Sequence, residues 1–163
     1  MHIPDGYVNL SVAVTVAVVT VVVLAVAARR VDGDIDGERA PLVGVVAAGI
    51  FAAQMLNWPI PGGTSAHFVG GALAAVLLGP HLGALAVATV VTVQSLVFGD
   101  GGVGVGIGLS SAFAYETLTV LAVMGVSHLL LGLVEGAITA VVSRSLVDAR
   151  PDLWPDRTEV SAR

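Results

Sequence analysis

The chain has 163 residues, 56% of them hydrophobic and 12% charged, with a formal net charge of −5 and no cysteine. A soluble domain carries roughly 25% charged residues, so a soluble globular domain is excluded. So are disulfides, zinc–thiolate sites and iron–sulfur clusters. All the positive charge is arginine, and between Pro41 and Gly99 there is no Asp, Glu, Lys or Arg at all. A bilayer-spanning helix takes roughly 20 apolar residues, so that stretch must hold more than one span.

Met1 to Gly6 carries Asp5 and no basic residue. It does not read as a signal peptide, which opens with a basic region, and the mature chain is expected to start at Met1. Asn9 to Ala28 is the first predicted span. Its β-branched residues would favour a strand in water, but in lipid a run of this length satisfies its backbone as a helix. Arg29 and Arg30 close it, and Val31 to Arg39 forms a polar turn. Pro41 suits the start of a second helix, predicted to run to about Asn57. The following Trp58-Pro59-Ile60-Pro61-Gly62-Gly63-Thr64-Ser65 cannot be regular helix. Irregular backbone at membrane depth survives only where it is buried in protein or lines a cavity, which makes this link a candidate site.

A third helix is predicted from near Ala66 to Gly79-Pro80, and a fourth from about Leu82 to Phe98. Gly99-Asp100-Gly101-Gly102 is a second irregular link, and the VGVGIG run after it is glycine-rich. Leu109 to Met124 and Ser127 to Val147 complete the apolar segments. The fold class expected is all-α, a polytopic transmembrane bundle of five to six segments. No Walker A loop or dinucleotide-binding fingerprint is present, and nothing in the residues suggests a nucleic-acid partner.

Short cytoplasmic loops carry excess arginine and lysine. Arg29, Arg30 and Arg39 therefore place the first link inside and the N-terminus outside. Arg144 and Arg150 place the C-terminus inside. That combination needs an odd number of spans, whereas six apolar segments are counted. The discrepancy is expected in the glycine-rich stretch after Asp100.

Several residues can do chemistry. The amine of Met1 and the amide and imidazole nitrogens of His2 can chelate one ion in adjoining rings, a geometry that suits Ni(II) or Cu(II). The alternative is an ordinary second residue. His67, at the edge of the third helix, lies on the same outer side as Met1, and ionisable groups at membrane helix ends are candidates for function. The alternative there is a wetted, inert histidine at headgroup level. Asn57, Thr64 and Ser65 could support His67 from behind or cap the breaks in the second and third helices. His81 reads as a surface histidine and Asp100 as a turn residue. Glu116 falls near the late helices. His128 and Glu135, seven residues apart, share a helix face that should point into the bundle or at a partner.

Met1-His2-Ile3-Pro4-Asp5-Gly6, the block AQMLNWPIPGGTSAHFVGGALAAVLLGP from Ala53 to Pro80, and QSLVFGDGG from Gln94 to Gly102 together closely resemble the CbiM/NikM family. These are the substrate-capture components of energy-coupling-factor transporters for cobalt and nickel. MGVSHLLLGLVEGAITAVV, from Met124 to Val142, resembles the end of the same family. The resemblance implies a site for Co2+ or Ni2+, carried as cargo with no other cofactor, made by the Met1 amine, the His2 amide and imidazole, and the His67 imidazole. It implies an inner-membrane complex with a transmembrane coupling subunit, two ATPases and often a small accessory membrane subunit. Such importers feed cobalamin synthesis, urease or hydrogenase. One membrane-embedded substrate-binding domain is expected over residues 1–147, followed by a polar cytoplasmic tail over 148–163. The chain departs from the family pattern at Val103 to Val123, which is short. Two other classes remain at this stage: a shortened metal-binding accessory or sensor protein, and an intramembrane enzyme using His128 and Glu135 as acid and base.

Overall fold

A computed structural model describes residues 10–31, 37, 39–60, 64–98, 117–149 and 151. Met1, His2, Asp100 and Glu116 lie outside the described residues. Five α-helices and one short hairpin are found among those described: α1 (Leu10–Val31), α2 (Arg39–Gln54), β1 (Trp58–Ile60), β2 (Thr64–Ala66), α3 (Gly71–Leu78), α4 (Pro80–Val97) and α5 (Thr117–Ala149). Among the described residues three stretches are long and apolar enough to cross a membrane: Ser11–Val31, Pro80–Val97 and Gly125–Ala149. At 1.5 Å per residue the first and third exceed a hydrocarbon core of about 30 Å, and Pro80–Val97, at about 27 Å, comes close to it. The chain is a helical membrane protein, as its composition requires.

α4 is the hub and packs against α1, α2 and α3; α3 also touches α2 and α5. The core is small: Val46 and Ile50 of α2, Ala74 of α3 and Val90 of α4, flanked by Phe51, Phe68 and Leu77 among others. The closest approach is between α3 and α4. A Cβ on Gly83 would stand 2.7 Å from the Ala74 carbonyl carbon and 2.8 Å from the Ala75 nitrogen. Small residues at such crossings let backbones meet where lipid supplies no hydrophobic drive. The two helices are joined by Gly79 at φ 82°, a left-handed position that favours glycine, and Pro80 opens α4 at its first turn.

The structure departs from the sequence expectations in three places. The Trp58–Ser65 link, expected to be irregular, contains an antiparallel hairpin that pairs Trp58 with Ala66, Pro59 with Ser65 and Ile60 with Thr64. A two-stranded ribbon has two open edges, so Pro59 can sit in it without removing a needed donor. The hairpin takes residues at both ends from the neighbouring helices: α2 stops at Gln54 rather than Asn57, and α3 starts at Gly71 rather than near Ala66. Finally, the late segments are not separate. α5 runs unbroken through Gly125-Val126 for 33 residues, to Ala149.

Candidate metal-binding site

The four residues between β2 and α3 form the centre of interest. His67 is buried at 5% exposure, which removes the alternative of a wetted headgroup-level histidine. It does not stand at a helix edge either, because α3 begins four residues later. Its Nδ1 lies 2.7 Å from the Phe68 carbonyl oxygen. A carbonyl can only accept, so Nδ1 carries the proton and donates. That tautomer puts the lone pair on Nε2, the arrangement in which a second hydrogen bond orients a metal-binding imidazole.

The next residues are fixed from two sides. The Gln54 Nε2 amide, at the end of α2, donates to the Val69 carbonyl oxygen at 2.6 Å. The Val69 backbone N–H donates to the Glu135 carboxylate of α5. Gly70, at φ 76°, turns the chain into α3, and a Cβ there would stand 2.8 Å from Ile50 Cγ2 and 3.0 Å from Phe68 Cε1. The His67 loop is thus clamped by α2, by α5 and by a glycine that lets it lie against the core.

The other residues singled out in the sequence fall differently. Thr64 and Ser65 lie in β2, so neither caps α3, whose N-cap is Gly70 without a side-chain cap. Ser65 is half-buried and Asn57 exposed; no hydrogen bond from either side chain to His67 is found among the described residues. His81 is exposed, as expected of a surface histidine. Glu135 does face the bundle, through Val69, but His128 is exposed. Seven residues put the two about 10 Å apart along the helix, beyond the reach of an acid–base pair, and Glu135 is occupied by a backbone N–H. Among the described residues no cluster of three or more His, Cys, Asp or Glu could hold a metal. His67 is buried among the described residues and is a candidate nitrogen ligand.

Sequence reasoning missed two buried side chains, Gln54 and Gln94, each 1% exposed. A signal was present. Val46, Ile50 and Gln54 recur every four residues on α2, and Leu82, Ala86, Val90 and Gln94 do so on α4. Each glutamine therefore continues the stripe of its helix that faces the core.

Comparison with known proteins agrees with this picture. The sequence model of the CbiM family, described as the cobalt uptake substrate-specific transmembrane region, matches residues 2–107 and 103–153. The two matched pieces meet inside the region that the sequence marks as short. A putative metal transport protein of Haloquadratum walsbyi is 45% identical, with 94% of this chain and 93% of that protein covered. That alignment runs over 202 positions, more than the 163 residues here, so it opens gaps in this chain. A putative fused nickel transport protein NikMN of Archaeoglobus fulgidus is 44% identical over 94% of this chain and 68% of its own length. A solved structure of a truncated transition metal transporter superposes with a TM-score of 0.60 at 38% identity, covering 66% of this chain and half (50%) of that one. With a buried histidine beside a clamped loop, a helical membrane bundle and a family match along most of its length, the chain belongs to the CbiM family of cobalt and nickel transport membrane proteins.

Proposed function

We propose that the chain is the substrate-capture subunit of an ATP-driven importer and takes up Co2+ or Ni2+ from the outer side. His67 carries this reading: it is buried, its tautomer is set by Phe68, and its loop is held by Gln54 and Glu135. The remaining ligands are the Met1 amine and the His2 amide and imidazole, which with the imidazole of His67 make four nitrogens, a set that suits nickel and other late first-row ions. The N-terminus faces outside an inner membrane. A transmembrane coupling subunit and two ATPases, with or without a small accessory subunit, supply the energy that the chain has no nucleotide motif to supply. The ion sheds water, binds, and is released inside when the bundle is reoriented.

Titration calorimetry with Ni2+ and Co2+ on purified protein tests this. His67→Ala should abolish tight binding while the thermal transition in detergent persists; wild-type affinity would remove His67 from the site. A peptide bond in place of the terminal amine removes a ligand, so a tag before Met1 should abolish bound metal after purification, and a C-terminal tag should not. Equal metal in both forms would exclude the amine.

A second reading has its own support. The family match breaks into two pieces at residues 103–107, and the late segments form a single helix. A shortened member could bind metal as an accessory or sensor without moving it. Whole-cell metal uptake with and without the ATPase partners separates the two: uptake that depends on the partners identifies the importer subunit.

A further inference from the structure

The buried stripes of α2 and α4 both end in a carboxamide. Ile50 and Val90 belong to one apolar cluster, and one turn further along each helix stands Gln54 or Gln94. The C-terminal ends of the two helices meet there, because the rings of Phe51 and Phe98 lie 5.4 Å apart between centroids. Gln54 gives its Nε2 to Val69, but its Oε1 has no partner among the described residues. Gln94 has no partner there at either Oε1 or Nε2.

Buried polar groups are nearly always satisfied, and leaving one unsatisfied destabilises a fold. Thr15, Thr89 and Thr92 follow that rule by turning their hydroxyls onto the carbonyl four residues back, whereas the Thr139 and Ser143 hydroxyls of α5 also lack a partner among the described residues. A leucine would fill either glutamine position with almost the same shape and no polar cost. Gln54 and Gln94 each stand one turn beyond the apolar cluster that Ile50 and Val90 share, and Gln54 is bonded to the loop that carries His67, so this pair calls for something that it receives.

We propose that the carboxamide oxygens of Gln54 and Gln94 receive the N–H or O–H protons of groups bound to the metal ion at His67. This rests on the reading of His67 as a ligand. A divalent ion draws electron density from the amine or water bound to it, so the protons of that group become strong hydrogen-bond donors. Two neutral acceptors orient such a group without adding negative charge, which suits an ion that must later leave. Acceptors behind a first ligand shell commonly contribute about 10- to 100-fold in metal affinity.

The test uses the purified full chain with Ni2+ and Co2+ chlorides, read by calorimetry, by the rate of metal loss to excess chelator and by thermal melting. Gln94→Leu should weaken binding about 10- to 100-fold with an unchanged or raised melting temperature. Gln94→Glu, which keeps an oxygen acceptor and adds charge, should slow metal release. A Gln94→Leu protein that melts lower and binds as wild type would overturn the proposal and make Gln94 structural. If Gln94→Leu does not fold, Gln94→Glu decides, and an unchanged release rate overturns the proposal. His67→Ala runs beside them. If it loses metal while Gln94→Leu keeps it, only the glutamine proposal fails; if His67→Ala binds as wild type, both fall together.

Discussion

Helices α4 and α5 both contain a stretch long and apolar enough to cross a bilayer, yet 28% of the α4 span is buried in the protein against 6% of the α5 span. Hydrophobicity cannot explain the difference, because lipid tails are as apolar as leucine and provide no drive for helices to associate. Close backbone contact and polar groups do. α4 has Gly83 against the backbone of Ala74 and Ala75, whereas Gly125, Gly132 and Gly136 of α5 have no atom within 4 Å of an added Cβ. α5 touches α3 and is tied to the loop before it by a hydrogen bond from Val69 to Glu135. Leu129, Leu130, Leu133, Val134 and Val141 stay exposed on it, a surface for lipid or for another membrane subunit. The candidate site lies in the packed half, and α5 reaches it through Glu135.

The largest expected effect tests that contrast directly. Gly83→Val places a branched side chain where backbone atoms already stand at 2.7 and 2.8 Å. The helices must move apart, at a cost of about 3 kcal/mol or more. The same change at Gly132 meets nothing and should stay within about 0.5 kcal/mol. Melting curves of the two variants in one detergent would show the gap. Equal destabilisation would mean that α5 is packed as tightly as α4.

Gly70→Ala comes next. The left-handed backbone costs a residue with a Cβ roughly 1–2 kcal/mol, and here the Cβ also meets Ile50 and Phe68. A loss of about 2 kcal/mol is expected. Because Phe68 holds the His67 ring, metal affinity should fall with stability, whereas Gly132→Val should leave affinity alone. Wild-type affinity in a destabilised Gly70→Ala protein would uncouple the loop from the site.

Much of the packed half is legible in the sequence, and the reasons are physical. Charge-free apolar runs declare α1, α2 and α4, since only a helix satisfies its backbone in lipid. Pro59, Pro61 and the glycine pair declare a break, but they do not declare a hairpin. Prolines argue against strands in general, and an open edge such as this two-stranded ribbon provides is one of the few places that admit one. That hairpin is also why α3 begins late and why His67 lies before it. The expected division of the late segments at Gly125 is not found, because a glycine does not end a membrane helix that has no reason to turn. Gln54 and Gln94 escape a search for ionisable residues because they do not ionise; only their place on a four-residue stripe betrays them. The burial of His67 depends on Gly70 lying against Ile50, residues far enough apart in sequence that no local pattern links them.

The smallest effect concerns the contact that joins the two regions. Glu135→Gln keeps a carbonyl oxygen for the Val69 N–H and removes the charge that strengthens the bond. A charged acceptor is worth about 1 kcal/mol more than a neutral one, and partial exposure to solvent reduces that figure, so melting should shift little. Glu135→Leu removes the acceptor altogether and leaves the Val69 N–H without it. Only then should the loop loosen on the α5 side, while Gln54 still holds the Val69 carbonyl. Metal affinity should therefore fall modestly in Glu135→Leu, remain near wild type in Glu135→Gln, and fall further when Glu135→Leu is combined with Gln54→Leu than the two single effects add to. Non-additivity is expected because both side chains act on one peptide unit on each side of Val69. A calorimetric double-mutant cycle measures it. Strict additivity would show that α5 stabilises the bundle independently of the His67 loop, and the boundary between the packed half and α5 would then be complete.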